Sequence, residues 1–465
     1  MTVPVPAPGP RPVDLLVRGA ELVATMDDRR RELPGGWVAV TDGLVSAVGA
    51  AGDPPPPARR TLAATGCLVT PGLVNTHHHI FQNLTRSYAP AVSGSLFAWL
   101  RTLYPLWARL DEEAVYVSAH VGLTELALGG CTTTTDHLYV HPRGAGDLIA
   151  AEIAAARELG MRFHPTRGSM SLSVKDGGLP PDSVVQDPDD ILADSAALVA
   201  AHHDPAHGAM VRIALAPCSP FSVSPELMRA TAELAEKLDV RLHTHLAEDP
   251  QEDDYCLATY GRRPVEHFRD LGWGGDRAWV AHCIHPNAAE VAQLGAWGTG
   301  VAHCPSSNMI LGGGLAPVAR LRAAGVPVGL GCDGSSSADS ASLWLEARTA
   351  MLLGRLRGGA SAMSARDTLE IATRGGAACL GRTGELGELS VGAAGDLVVW
   401  PLDGIAFAGA LSDPVEAWLR CGPVAARHTV VAGRTVVENG APVHPGLDDI
   451  LRRHRTIAIA IQRNP

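Results

Sequence analysis

Apolar and polar positions follow a repeating rhythm through the middle of this chain, with short apolar runs separated by longer segments of helical periodicity. The runs are Leu68 to Thr76, Cys131 to Leu138, Met161 to Arg167, Val211 to Cys218, Val240 to Leu246, Ala278 to Cys283, Gly300 to Cys304 and Val326 to Asp333. Between them lie patterns such as Asp111 to Leu128 and Ser224 to Leu238, the second opening with a serine cap and Pro225 in its first turn. Eight such runs alternating with helices predict a parallel (β/α)8 barrel of the TIM type. A doubly wound open sheet would need a Gly-x-Gly-x-x-Gly turn opening a helix after the first strand, and none is present.

The two ends read differently. Val13 to Val23 and Trp37 to Val48 form short strand patterns, the second a hairpin with Asp42-Gly43 at its turn, followed by a proline-rich connector from Asp53 to Pro57. Gly395 to Trp400 and His428 to Val437 supply further strands, with a turn near Ala432-Gly433. Neither end can bury a core alone, so the two are expected to pair. The predicted organisation is a disordered head over 1–12, a composite β-sandwich domain from 13–66 and 386–440, the barrel over 67–385, and a C-terminal helical segment over 441–465.

Composition narrows the class. A chain of 465 residues, 46% hydrophobic and 19% charged, can bury a large core. Its formal net charge of −11 argues against a nucleic-acid partner, and arginine supplies nearly all its cations, the only lysines being Lys175 and Lys237. The start lacks the order of a signal peptide and no apolar run approaches a membrane span, so a cytoplasmic protein with no membrane partner is expected. Nine cysteines, an odd number without a Cys-x-x-Cys pair, predict reduced core thiols. The expected partners are a small-molecule substrate and further copies of the chain in a homo-oligomer.

The candidate chemistry sits where runs end. An apolar stretch closes in His77-His78-His79; alternation along a strand puts His77 and His79 on one face, from which two imidazoles can grip one metal ion. Run five ends in His245 with Glu248 three residues on, run six in His282, and run eight in Asp333. In a barrel these ends converge over one mouth. His243 shares the parity of His245 one layer deeper and is expected to be a hydrogen-bonded core residue.

The set His77-x-His79, His245-Leu-Ala-Glu248, His282-Cys-x-His285, His303-Cys-Pro-Ser-Ser-Asn308 and Asp333-Gly334 resembles the amidohydrolase superfamily, in its aminohydrolase branch acting on purines, pyrimidines and triazines. Further stretches, Asn75 to Arg86, Arg167 to Leu172, Gly177 to Pro181 and Leu215 to Ser222, are similar to the members of that branch that deaminate 8-oxoguanine. The resemblance runs from about Asp14 to the C-terminus. It implies a metal-bearing barrel with a split β-sandwich, hydrolysis of 8-oxoguanine to urate and ammonia, and isocytosine as a second substrate. The metal ligands would be His77, His79, His245 and Asp333, and the proton-transfer residues Glu248, His282 and Asp333. One divalent ion per chain is expected, zinc in the first place and ferrous iron as the alternative, because run four carries no lysine to bridge a second ion.

Substrate contacts are less specified by pattern. Gln82 offers an amide to a purine edge or caps its loop. Arg167 reads an oxo group or braces a loop through an ion pair. His137 faces the pocket or is held by Asp136. Arg167 and His137 are the candidate readers of the imidazole end, where 8-oxoguanine differs from guanine. The aromatic segment Ala89 to Trp107 covers the mouth or makes a subunit contact. Within the same branch, triazine hydrolases and guanine or adenosyl-type deaminases share the metal set; a non-catalytic barrel serving as a binding or assembly module would have lost ligands that are all present here.

Overall fold

A computed structural model describes residues 11–463; the head predicted over 1–12 lies almost wholly outside them. Eight strands close a parallel barrel in chain order: β1 (Leu73–Asn75), β2 (Cys131–Leu138), β3 (Arg162–Ser169), β4 (Ala214–Pro217), β5 (Arg241–Leu246), β6 (Ala278–His282), β7 (Gly300–His303) and β8 (Val328–Leu330). The ring is sealed by β8 against β1, with Leu330 opposite Asn75. Helices cross between successive strands, as the alternating pattern requires for parallel neighbours. Helix starts follow side-chain caps such as Asp111 accepting from Ala114 N and Ser224 from Leu227 N.

The run read as one strand from Leu68 to Thr76 is two. Cys67–Pro71 pairs antiparallel with Leu397–Pro401 in a seven-stranded sheet, and only Leu73–Asn75 enters the barrel. The chain passes from one sheet to the other at Gly72, where a Cβ would lie 2.0 Å from Thr132 Oγ1; no other residue fits so close to β2.

That seven-stranded sheet draws Leu22–Ala24 and Glu32–Pro34 from the beginning of the chain and His428–Val431 and Arg434–Glu438 from its end. A second sheet of four strands contains the Trp37–Thr41 and Leu44–Gly49 hairpin, whose turn residues Asp42 and Gly43 both have positive φ, 51° and 76°. It also holds Ala58–Ala63, a strand whose polar sequence hid it from pattern reading. Leu15, Val17 and Val40 of the four-stranded sheet share an apolar cluster with Val69, Val399 and Val430 of the other. Arg162 at the start of β3 ties the barrel to this layer with a bidentate pair to Asp396, both nitrogens at 2.9 Å.

The C-terminal helix Leu447–Arg463 returns to the barrel. His454 Nε2 meets Asn83 Oδ1 at 2.8 Å and Gln462 Nε2 donates to Leu84 O at 2.7 Å, so this helix braces the turn Ile80–Thr85 that follows the histidine triplet. All nine cysteines are free. No helix among the described residues is long and apolar enough to cross a membrane.

Candidate active site

The ends of β1, β5, β6 and β8 meet over the barrel mouth, and a two-residue parallel pairing completes the convergence. His78 and His79 lie in register with Asp333 and Gly334, which sets the Asp333 carboxylate beside the imidazoles that follow β1. His77 Nε2 and His79 Nε2 stand 3.2 and 3.3 Å from Asp333 Oδ1, and His79 Nε2 is 3.1 Å from His245 Nε2. Underneath, Asn75 clamps three strands: its Nδ2 donates to Thr134 Oγ1 at 3.0 Å and its Oδ1 accepts from Cys332 N at 3.0 Å.

The hydrogen bonds behind the rings determine their tautomers. A carbonyl can only accept, so His243 Nδ1 donates to Trp279 O at 2.9 Å, its Nε2 accepts, and His77 Nδ1 donates to it at 2.8 Å. His79 Nδ1 donates to His137 O and His245 Nδ1 to Cys218 O, each at 2.7 Å. All three Nε2 atoms are left as lone pairs aimed at one another and at a carboxylate. Burial holds His77, His79 and His245 below the ordinary imidazole range, so protonation does not relieve the repulsion. Two overlapping buried sets, His77, His79, His137 and His245 and also His77, His245, His282 and Asp333, bring one ligand atom each within 4.8 Å of one another, and neutral imidazoles oriented from behind with a carboxylate beside them suit a divalent cation.

His78 points away, its Nδ1 donating to Asp333 O at 2.5 Å. His243 is the buried, doubly bonded histidine that its depth predicts, stacked on Trp279 at 4.5 Å.

Two further groups flank the cluster. His282 Nδ1 is held by Asn308 Oδ1 at 2.9 Å, leaving Nε2 facing Glu248 Oε1 at 3.5 Å and Asp333 Oδ2 at 3.9 Å. Burial, reinforced by the charges of Asp333 and Asp249, pushes the Glu248 carboxyl well above its usual range, the direction a general acid requires. Glu252 accepts the backbone N–H groups of Ala247 and Glu248 at 2.9 and 2.8 Å and so anchors the turn that aims Glu248. Ala247, His282 and Asp333, each at or just past the end of its strand, take positive φ (51°, 68° and 54°), a conformation costing non-glycine residues on the order of 1–3 kcal/mol each.

A cavity lies above the cluster. Its floor is His79, His245, His282, Glu248 and Asp333; its roof comes from helix α1 (Leu96–Trp107), which presents Leu96, Trp99, Leu100 and Tyr104. These positions recur at helical spacing, so one stripe of α1 closes the mouth. Gln82 lines the wall, its Nε2 3.5 Å from Tyr139 Oη and its Oε1 without a partner.

Arg167 and His137 do not line it. Arg167 donates to Asp194 Oδ2 at 2.7 Å, Gln186 Oε1 at 2.9 Å and Gly168 O, the loop-bracing alternative, because at the end of β3 its side chain turns to the outer helix and not inward. His137 lies beneath the cluster, stacked on His245 at 4.9 Å, with Nε2 donating to Ala216 O. Asn308 and Glu252 carried no role from pattern, although Asn308 stands in a quoted motif and Glu252 follows Glu248 by four residues; Tyr104 was placed only within the aromatic segment Ala89 to Trp107, whose mouth-covering alternative its position in the cavity lining supports.

The Amidohydrolase family profile matches residues 68–436. The chain is 49% identical to 8-oxoguanine deaminase of Pseudomonas aeruginosa over 92% of its own length and 95% of that protein's. It is 38% identical to hydroxydechloroatrazine ethylaminohydrolase of Pseudomonas sp. strain ADP, covering 94% and 88%. Among solved structures, atrazine chlorohydrolase from Arthrobacter aurescens TC1 complexed with zinc superposes with a TM-score of 0.91 at 34% identity, covering 96% of this chain and all of that one. With its profile match spanning most of the barrel and its metal-type cluster at the strand ends, this chain belongs to the amidohydrolase family.

Proposed function

We propose that this protein hydrolyses the 2-amino group of 8-oxoguanine to give urate and ammonia, and isocytosine to give uracil and ammonia. In this reading His77, His79, His245 and Asp333 hold one divalent ion, zinc in the first place. Such an ion supplies Lewis acidity and lowers the pKa of water toward neutrality.

The protein's own groups carry the rest. Asp333 accepts the proton that the attacking water loses, and His282, kept in one orientation by Asn308, aligns that water on the amidine carbon. Glu248 delivers its proton to the adjacent ring nitrogen as the carbon becomes tetrahedral, which prevents charge from building up on the ring. The proton held by Asp333 reaches the exocyclic nitrogen; as the C–N bond breaks and ammonia leaves, the hydroxyl on the same carbon gives its proton to Glu248 and the carbonyl forms. The α1 roof excludes bulk water during these transfers.

The observation that carries the reading is a buried Glu248, 3.5 Å from His282 Nε2 and beside the imidazole cluster, in a chain 49% identical to an 8-oxoguanine deaminase along nearly its whole length. Ammonia release by zinc-loaded protein, followed across 8-oxoguanine, isocytosine, guanine, cytosine and aminotriazines, tests it. Fastest turnover of 8-oxoguanine with urate as product is expected; preference for a triazine, whose hydrolases are also relatives, would replace it.

A further inference from the structure

The proposed substrate differs from guanine only at its imidazole end, and the residues first expected to read that end face elsewhere. Arg167 is bonded to Asp194 and Gln186, and His137 lies under the metal-type cluster. Which group reads the 8-oxo oxygen is therefore open.

The polar atoms lining the cavity are nearly all engaged. Ser337 Oγ donates to Asp333 Oδ2 at 3.2 Å and Ser219 Oγ and Ser222 Oγ pair at 2.7 Å; Tyr139 Oη only accepts from Gln82, at 3.5 Å, but its ring stands edge-on to His79 with centroids 4.9 Å apart and so belongs to the metal end. Gln82 Oε1 has no partner but belongs to the metal end, since a Cβ on Gly334, next to Asp333, would lie 1.7 Å from it. Tyr104 remains. Its side chain is 1% exposed, lines the cavity from the α1 roof, and its hydroxyl has no hydrogen-bond partner. An edge contact with Trp107, centroids 5.9 Å apart at 84°, fixes the ring. Burial keeps the phenol protonated, so it offers a donor. An unsatisfied buried hydroxyl costs stability unless a ligand completes it.

Orientation of the substrate follows from the chemistry. The amidine carbon must lie over the His77, His79, His245 and Asp333 cluster, with its ring nitrogen at Glu248, so the pyrimidine half occupies the floor. The imidazole half is then directed away from the floor, toward the roof. There 8-oxoguanine presents a carbonyl oxygen, guanine presents C–H, and isocytosine has no atoms at all.

We infer that the Tyr104 hydroxyl donates a hydrogen bond to the 8-oxo oxygen and is the residue by which this protein prefers 8-oxoguanine to guanine. The inference rests on the function proposed above.

The test is Tyr104→Phe in zinc-loaded protein, with steady-state rates on 8-oxoguanine, guanine and isocytosine beside the unsubstituted protein. For 8-oxoguanine, kcat/KM should fall roughly 10–100-fold, while isocytosine and guanine stay within about threefold. A loss below threefold on 8-oxoguanine overturns the assignment, as does an equal loss on isocytosine, which would place the hydroxyl on the pyrimidine half or in the packing of the roof. Tyr104→Leu, which also removes the ring, should lower all three rates and so separates packing from the hydroxyl. The unsubstituted protein judges the function separately: if it turns over guanine or triazines and leaves 8-oxoguanine unchanged, the proposed function and this inference both fall; if it prefers 8-oxoguanine, only the Tyr104 ratios bear on the inference.

Discussion

Glu248→Gln separates proton transfer from every other role in the site. The two side chains are nearly isosteric, and because burial and the Asp333 and Asp249 charges favour the uncharged form of Glu248, the change removes a transferable proton with little change in charge. Among the described residues the 3.5 Å approach of His282 Nε2 is the one polar contact to its carboxyl, so no hydrogen-bonded network collapses with it. Glu248 is outside the proposed ligand set, so metal content should be unchanged and the melting temperature should move by no more than a few degrees. An amide cannot protonate the ring nitrogen, and loss of general acid catalysis is worth about 10²–10⁴-fold in kcat, or roughly 3–5 kcal/mol of barrier. The sign of the pH dependence also follows. Activity needs the protonated acid and is lost as pH rises through a pKa displaced upward, so the unsubstituted protein should keep its rate above the ordinary carboxylate range, and the residual rate of the variant should lack that alkaline limb. Stopped assays of ammonia release at saturating substrate, with metal analysis of the same samples, read both quantities. A kcat within threefold of the unsubstituted protein, or a variant that loses its metal, would refute the assignment.

Metal analysis of fully loaded protein should find one tightly bound divalent ion per chain; two would show that a ligand outside His77, His79, His245 and Asp333 had been overlooked. Asn308→Ala should lower kcat about 10–100-fold with little change in KM, because His282 Nδ1 loses its acceptor at 2.9 Å and the ring is free to turn; unaltered kcat would mean that packing alone orients it. Burial, with Arg86 nearby, lowers the His454 pKa from 6.5 to about 4, so its contribution to stability is complete above 6.5 and is lost as pH falls toward 4, on the order of 3 kcal/mol over that window. Urea unfolding of His454→Gln should accordingly depend less on pH between 6.5 and 4 than unfolding of the unsubstituted protein, and identical slopes would show that the C-terminal helix is held by other contacts.

Much of this site could be read from the chain alone because its residues occupy positions that secondary structure dictates. Runs of apolar residues broken by helical segments imply the barrel, and a parallel barrel places every strand's C-terminal end on one face, so His77, His79, His245, His282 and Asp333 could be associated before any contact was known. The absence of lysine from β4 was equally visible. What the pattern could not decide was where a side chain turns after its strand has ended. The apparent strand from Leu68 to Thr76 divides at Gly72 because Thr132, sixty residues on, leaves no room for a side chain there. Arg167 turns outward because Asp194 and Gln186, from a later loop and helix, wait for its guanidinium. Tyr104 reaches the cavity because α1 folds back across the mouth. Periodicity specifies which face of its own element a residue occupies; the groups opposite that face come from distant parts of the chain, and only tertiary packing brings them there.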